Sequence, residues 1–130
     1  MRKILVMVMC ALALTLTASA AGGALQIFGG KDHKVFIGCL TCSKYDSDSV
    51  FNMYGSFGGR YSSTSIINSY SDYGSRYSSY SACNVYASDP PIVTGGEGGY
   101  YGKLTLNTFA RDAITNSTIV AWLTGVCSGR

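Results

Sequence analysis

Residues 44–59 read KYDSDSVFNMYGSFGG, residues 60–75 read RYSSTSIINSYSDYGS and residues 76–91 read RYSSYSACNVYASDPP. Laid over one another at a step of sixteen, the three stretches agree at five columns: Tyr45/Tyr61/Tyr77, Ser47/Ser63/Ser79, Ser49/Ser65/Ser81, Asn52/Asn68/Asn84 and Tyr54/Tyr70/Tyr86. A sixth column, Lys44/Arg60/Arg76, keeps positive charge, and a seventh, Val50/Ile66/Ala82, stays apolar. Ser/Tyr-rich composition alone does not hold five columns in phase over 48 residues, so the tract reads as a tandem repeat.

Tyr, Val, Ile, Ser and Thr suit a pleated surface, while Gly55, Gly58, Gly59 and Gly74 supply turns, so each unit reads as β-rich. Tyr45, Ser47 and Ser49 share one face of an extended chain, whereas Val50, Asn52 and Tyr54 share the other. A corner near residues 49–50 reconciles the two, giving two short strands per unit and one unit per coil of a small β-solenoid. Coils stack at ~4.8 Å. The Asn52/Asn68/Asn84 column is then expected to bond side chain to side chain, and Tyr54/Tyr70/Tyr86 to stack ring on ring. A meander of three hairpins uses the same turns, and a Ser/Gly-rich tract that buries little apolar surface also admits disorder.

Outward from the repeats, residues 24–38 predict a β-hairpin. Leu25 to Phe28 and Lys34 to Ile37 flank a turn that carries His33, the sole histidine, which is expected to be solvated. Pro90 and Pro91 cannot continue a ladder and end the array. A second hairpin is expected from Ile92-Val93-Thr94, a glycine-rich tip at 95–99, and residues 100–106. Asn116 can cap a short helix in which Ile119, Trp122, Leu123 and Val126 face inward, ended by Gly129, with Trp122 in the core. The expected fold is therefore mainly β: a three-rung solenoid-like repeat region flanked by hairpins, with a C-terminal α-helix.

The N-terminus carries Arg2 and Lys3, an apolar run from Ile4 to Leu16, and an Ala18-Ser19-Ala20 cleavage pattern, the order of a secretory signal over 1–20. The run is shorter than the ~20 apolar residues of a spanning helix. No transmembrane anchor is expected after cleavage, and the mature domain, 21–130, is expected to be periplasmic or secreted. Without Arg2 and Lys3 the ten basic residues become eight against seven acidic, a net charge of +1, which offers no general attraction to nucleic acid.

Export makes Cys39, Cys42, Cys83 and Cys127 disulfide candidates. Four cysteines permit three pairings and the sequence does not choose among them; Cys39–Cys42 with Cys83–Cys127 is the expectation.

The run LQIFGGKD at 25–32, FIGCLTC at 36–42, and the tandem Tyr-x-Ser-x-Ser-Val/Ile-x-Asn-x-Tyr units resemble a family of exported bacterial proteins of uncharacterised activity. The resemblance spans about residues 25–106 and implies compartment and repeat architecture, with no activity to transfer. That family often places a tryptophan or another bulky residue where this chain has Phe51, Ile67 and Cys83. Cys83 is a departure that favours a bridge to Cys127.

No catalytic constellation, cofactor or metal site is expected. Cys39-Leu40-Thr41-Cys42 has redox-pair spacing, but no helical pattern follows the first cysteine. Four cysteines match a zinc site in number only, since there is no second close pair. Those two chemistries form the alternative to a non-enzymatic module. Asp46 and Asp48 could pair as carboxylates, yet the next unit has Ser62 and Thr64 there. What remains is a face: Lys44, Arg60 and Arg76 beside Tyr45, Tyr61 and Tyr77, suited to an envelope glycan or a protein partner, or to a solubilising rim.

Overall fold

The computed structural model of the chain describes residues 23–129, so the secretory signal expected over 1–20 lies outside the described residues. Both expected hairpins form. Strand β1, Gln26–Gly29, passes through a 3-10 turn, Lys31–His33, into β2, Val35–Cys39. The reversal uses left-handed backbone at Gly30, Asp32 and His33 (φ 76°, 60° and 53°), a conformation that glycine takes freely and aspartate at small cost. Strand β3, Ile92–Thr94, and β4, Tyr100–Lys103, form the second hairpin, which stops short of the expected end at Leu106.

The hairpins are not separate flanking units. β1 pairs antiparallel with β3, giving a single four-stranded sheet in the order β2-β1-β3-β4. Ile27 lies opposite Val93 in that central pair and both are fully buried, so apolar cross-strand contact holds the N-terminal and post-repeat segments together. His33, expected to be solvated, is half-buried, with its Nε2 3.0 Å from the Pro90 carbonyl oxygen, tying the first turn to the end of the repeats.

Among the described residues, no strand forms between 44 and 91; Ser49 makes only an isolated bridge to Cys39. The expected pair of strands per unit is replaced by consecutive turns. Backbone N–H groups of residues 46, 49, 52 and 55 donate to carbonyls three residues back, at 2.9–3.2 Å. Gly59 then donates to Gly55, one step of four, and the run continues through 62, 65, 68 and 71 to Ser75. Four steps of three and one of four make sixteen residues.

Side-chain chemistry explains the substitution of turns for strands. Ser49, Asn52, Ser65, Asn68, Ser81 and Asn84 each accept, through the side-chain oxygen, the N–H two residues ahead. An acceptor at every third position offers the backbone a local partner that competes with any ladder. It also keeps Ser49, Ser65 and Ser81, which are fully buried, from being left unpaired. Gly58 and Gly74 close their units where a Cβ would land on the Asn52 and Asn68 carbonyl oxygens.

Val50, Ile66 and Ala82 point into one core with Ile27, Ile37, Leu40, Val93, Leu104, Ile114 and Leu123. Phe57 of the first unit packs edge-on against Phe36 at 5.0 Å, so the repeats rest on the first hairpin. Helix α1, Ser117–Ser128, begins where the Asn116 side chain accepts the Thr118 and Ile119 N–H groups, and Gly129 caps its end. Leu123 and Cys127 are buried beneath it, while Ile119, Trp122 and Val126 are half-buried against the core. The cysteines pair as Cys39–Cys42 and Cys83–Cys127, with Cα separations of 5.6 and 5.4 Å. No helix among the described residues is long and apolar enough to cross a membrane.

Candidate functional site

The turn hydrogen bonds that build the tract also aim its aromatic rings. Asn52, Asn68 and Asn84 hold the backbone N–H groups of Tyr54, Tyr70 and Tyr86, each at 3.0 Å. Their amide nitrogens donate back six residues, to the carbonyls of Asp46, Ser62 and Ser78. These bonds lie within each unit and are made to backbone. The expected side-chain-to-side-chain Asn ladder is therefore not the bonding observed, because a turn places backbone groups closer to each amide than the next unit's asparagine. Ser43 and Ser75 hold the N–H groups of Tyr45 and Tyr77 in the same way.

The rings themselves stand in solvent. Tyr45, Tyr61 and Tyr77 are 83, 93 and 92 % exposed, and Tyr54, Tyr70 and Tyr86 are 98, 92 and 91 % exposed. A ring stacked on its neighbour would lose about one face to it, so the expected ring-on-ring tyrosine ladder does not form. Six exposed phenols in two columns are the main departure of this surface from an ordinary solvated one, since large aromatics usually cover part of themselves.

The three cations expected to line up beside them are not equivalent. Lys44 places its Nζ 5.3 Å from the Tyr45 ring centroid. Arg76 donates through Nη2 to the Cys127 carbonyl oxygen at 3.2 Å, complementing the negative end of α1. Arg60 has no hydrogen-bond or ion-pair partner among the described residues, and lines a groove of about 360 Å³ between the second unit and the end of α1. Tyr61 and Tyr70 flank it, Ile67 and Val126 add apolar lining, and Ser69 a hydroxyl.

Elsewhere the candidates have structural duties. Asp46 Oδ1 accepts the Asp48 N–H at 2.9 Å, an Asx turn in the place where the next unit uses the Ser62 hydroxyl. Tyr73 lies against Gly29 and Gly30, and burial, with the Asp72 carboxylate second, raises its phenol above the usual range. Burial, then Asp112, does the same to Tyr100. With the sulfurs joined in two pairs, none of Cys39, Cys42, Cys83 and Cys127 is a thiolate.

Sequence reasoning missed the groove. The repeat pattern places Tyr70 in a stack, and Ser69 and the helix end carry no signal in the letters that puts them beside Arg60. No protein-family model, curated protein or solved structure matches this chain.

Proposed function

We propose that the chain is an exported, non-enzymatic β-rich module that binds an extended polymer of the cell envelope or extracellular space, a glycan before a protein. The observation that carries this is the pair of tyrosine columns, all six rings 83–98 % exposed, with the backbone N–H of every one but Tyr61 held by an Asn or Ser side chain two residues before it. A tyrosine offers a sugar an apolar face and a hydroxyl tip in one rigid group. Holding the backbone in advance lowers the ordering cost of binding.

In this reading the tract is a three-rung solenoid of turns. Support comes from one column, residues 51, 67 and 83, that runs beneath α1. The Phe51 ring lies 5.6 Å from that of Trp122, Ile67 lines the groove with Val126, and Cys83 is bonded to Cys127. Five steps along the helix, from Trp122 to Cys127, cover about 7.5 Å of axis. Two repeat steps over that length agree with stacking at a few ångström per unit. The backbone N–H of Ala82 donating to the Tyr73 carbonyl at 3.1 Å links the second unit to the third.

Retention on insoluble glycans tests the proposal, comparing the natural chain with a Tyr45→Ser/Tyr61→Ser/Tyr77→Ser variant. These rings are exposed, so the variant is expected to fold as before and to bind roughly tenfold or more weakly. Equal retention of both proteins on peptidoglycan and on acidic and neutral polysaccharides refutes a role for the rows. Retention on envelope proteins alone assigns the face to a protein partner.

A further inference from the structure

We infer that the groove between the second unit and the end of α1 is a subsite for one acidic sugar ring, a uronic acid or another carboxylate-bearing pyranose. The inference deepens the glycan reading above and rests on it. Three features of the groove point the same way.

The first is charge. Arg60 has no hydrogen-bond or ion-pair partner among the described residues, and its guanidinium fork matches a carboxylate in two parallel hydrogen bonds. The end of a helix carries about −0.5 of a charge, which by itself repels an anion. Here Arg76 already donates to the Cys127 carbonyl, so that negative end is compensated. None of the described residues lining the groove is acidic. Among the described residues, Arg60 is thus left without a compensating negative charge.

The second is shape. Tyr61 and Tyr70 belong to different columns of the same unit, nine residues and three turns apart, and both border the groove. Two aromatic rings beside Ile67 and Val126 give the C–H face of a pyranose an apolar place to lie. A groove of about 360 Å³ suits a ring rather than a chain of many sugars.

The third is that the equivalent positions differ. In the third unit the position of Ile67 is Cys83, bonded to α1, and that of Arg60 is Arg76, bonded to the helix end. In the first unit Phe51 lies against Trp122, and Lys44 lies over Tyr45. The second unit alone combines a guanidinium free of described partners with a groove. The subsite is therefore local, in contrast to the rows, which run along all three units.

The test is titration of the isotope-labelled full chain with a short galacturonate oligosaccharide, and separately with a neutral oligosaccharide of equal length. The amides of Gly125 and Gly129 and the Arg60 side-chain N–H are followed by NMR. Saturable shifts at those groups are expected with the uronate, weakening with added salt. Affinity is expected to fall about tenfold or more in Arg60→Gln and also in Tyr70→Ser, but not in Lys31→Gln, which alters a cation in the distant hairpin turn. Thermal melts of each variant confirm folding. No shift at Gly125 and Gly129, or unchanged affinity in Arg60→Gln, overturns the subsite, as does equal binding of the neutral sugar. If the subsite fails while insoluble glycan is still retained through the tyrosine rows, the broader reading stands; if retention fails as well, both are lost.

Discussion

Replacing Asn68 offers the most direct measure of what holds the repeats. Its side chain is buried, at 8 % exposure, and makes two bonds to backbone: Oδ1 accepts the Tyr70 N–H and Nδ2 donates to the Ser62 carbonyl, both at 3.0 Å. Asn68→Ala removes both bonds: the Tyr70 N–H loses its acceptor, and the Ser62 carbonyl keeps only the Ser65 N–H. At about 1–1.5 kcal/mol for each, the variant is expected to lose about 2–3 kcal/mol. With about 2.1 cal/mol/K of unfolding entropy per residue and about a hundred folded residues, the midpoint falls by about 10–14 °C. Asn68→Ser keeps the local acceptor and is expected to lose about half as much.

Asn68→Asp gives the sharper test. It keeps the bond to Tyr70 but turns a carboxylate oxygen toward the Ser62 carbonyl, which disfavours the charged form in the folded chain. The folded pKa of the new carboxyl is therefore raised above its unfolded value, and stability falls as pH rises through that interval. Acid restores part of the deficit, because a protonated carboxyl can again donate. Denaturant melts of the three variants between about pH 3 and 7 decide the matter. Losses below about 0.5 kcal/mol, typical of a surface substitution, refute the reasoning, as does a pH-independent deficit in Asn68→Asp.

Two further outcomes are expected. Removing the Cys83–Cys127 bridge by a double alanine substitution frees a loop with a sequence separation of 44, worth about 4 kcal/mol. Removing Cys39–Cys42, with a separation of 3, costs about 2 kcal/mol. Melts showing equal losses contradict the loop-length account. At alkaline pH, Tyr73 favours the neutral phenol in the folded chain, so its folded pKa lies above the unfolded value of 10.0. Its contribution is intact below the unfolded pKa and is lost as pH rises through the folded one. Tyr73→Phe should flatten the alkaline decline measured by denaturant melts; an identical decline in both proteins removes Tyr73 as its source.

Several elements were legible because their causes are local. The hairpin turns follow from glycine and aspartate in left-handed backbone, and α1 follows from Asn116 as cap and from apolar spacing. The repeat is legible too, but a period of two predicts strands where the structure has turns. Read in twos, the pattern changes face at residue 50, between Tyr45, Ser47 and Ser49 and the set Val50, Asn52 and Tyr54. Read in threes, Asp46, Ser49, Asn52 and Gly55 fall in one phase with no break, as do Ser62, Ser65, Asn68 and Ser71. Side-chain acceptors at that spacing specify turns, and this signal was present in the letters.

By itself, then, the sequence determined the sixteen-residue recurrence, the apolar column of Val50, Ile66 and Ala82, and the ends of the helix, since each is written in residues within one or two turns of one another or repeats at a fixed step. Only the tertiary structure decided that β1 joins β3, that Cys83 reaches Cys127, and that Arg76 spends its charge on α1 while Arg60 does not. Those outcomes depend on how segments tens of residues apart meet across a shared core. Residues in equivalent columns have the same local surroundings but different distant ones, so three like cations acquire three different environments.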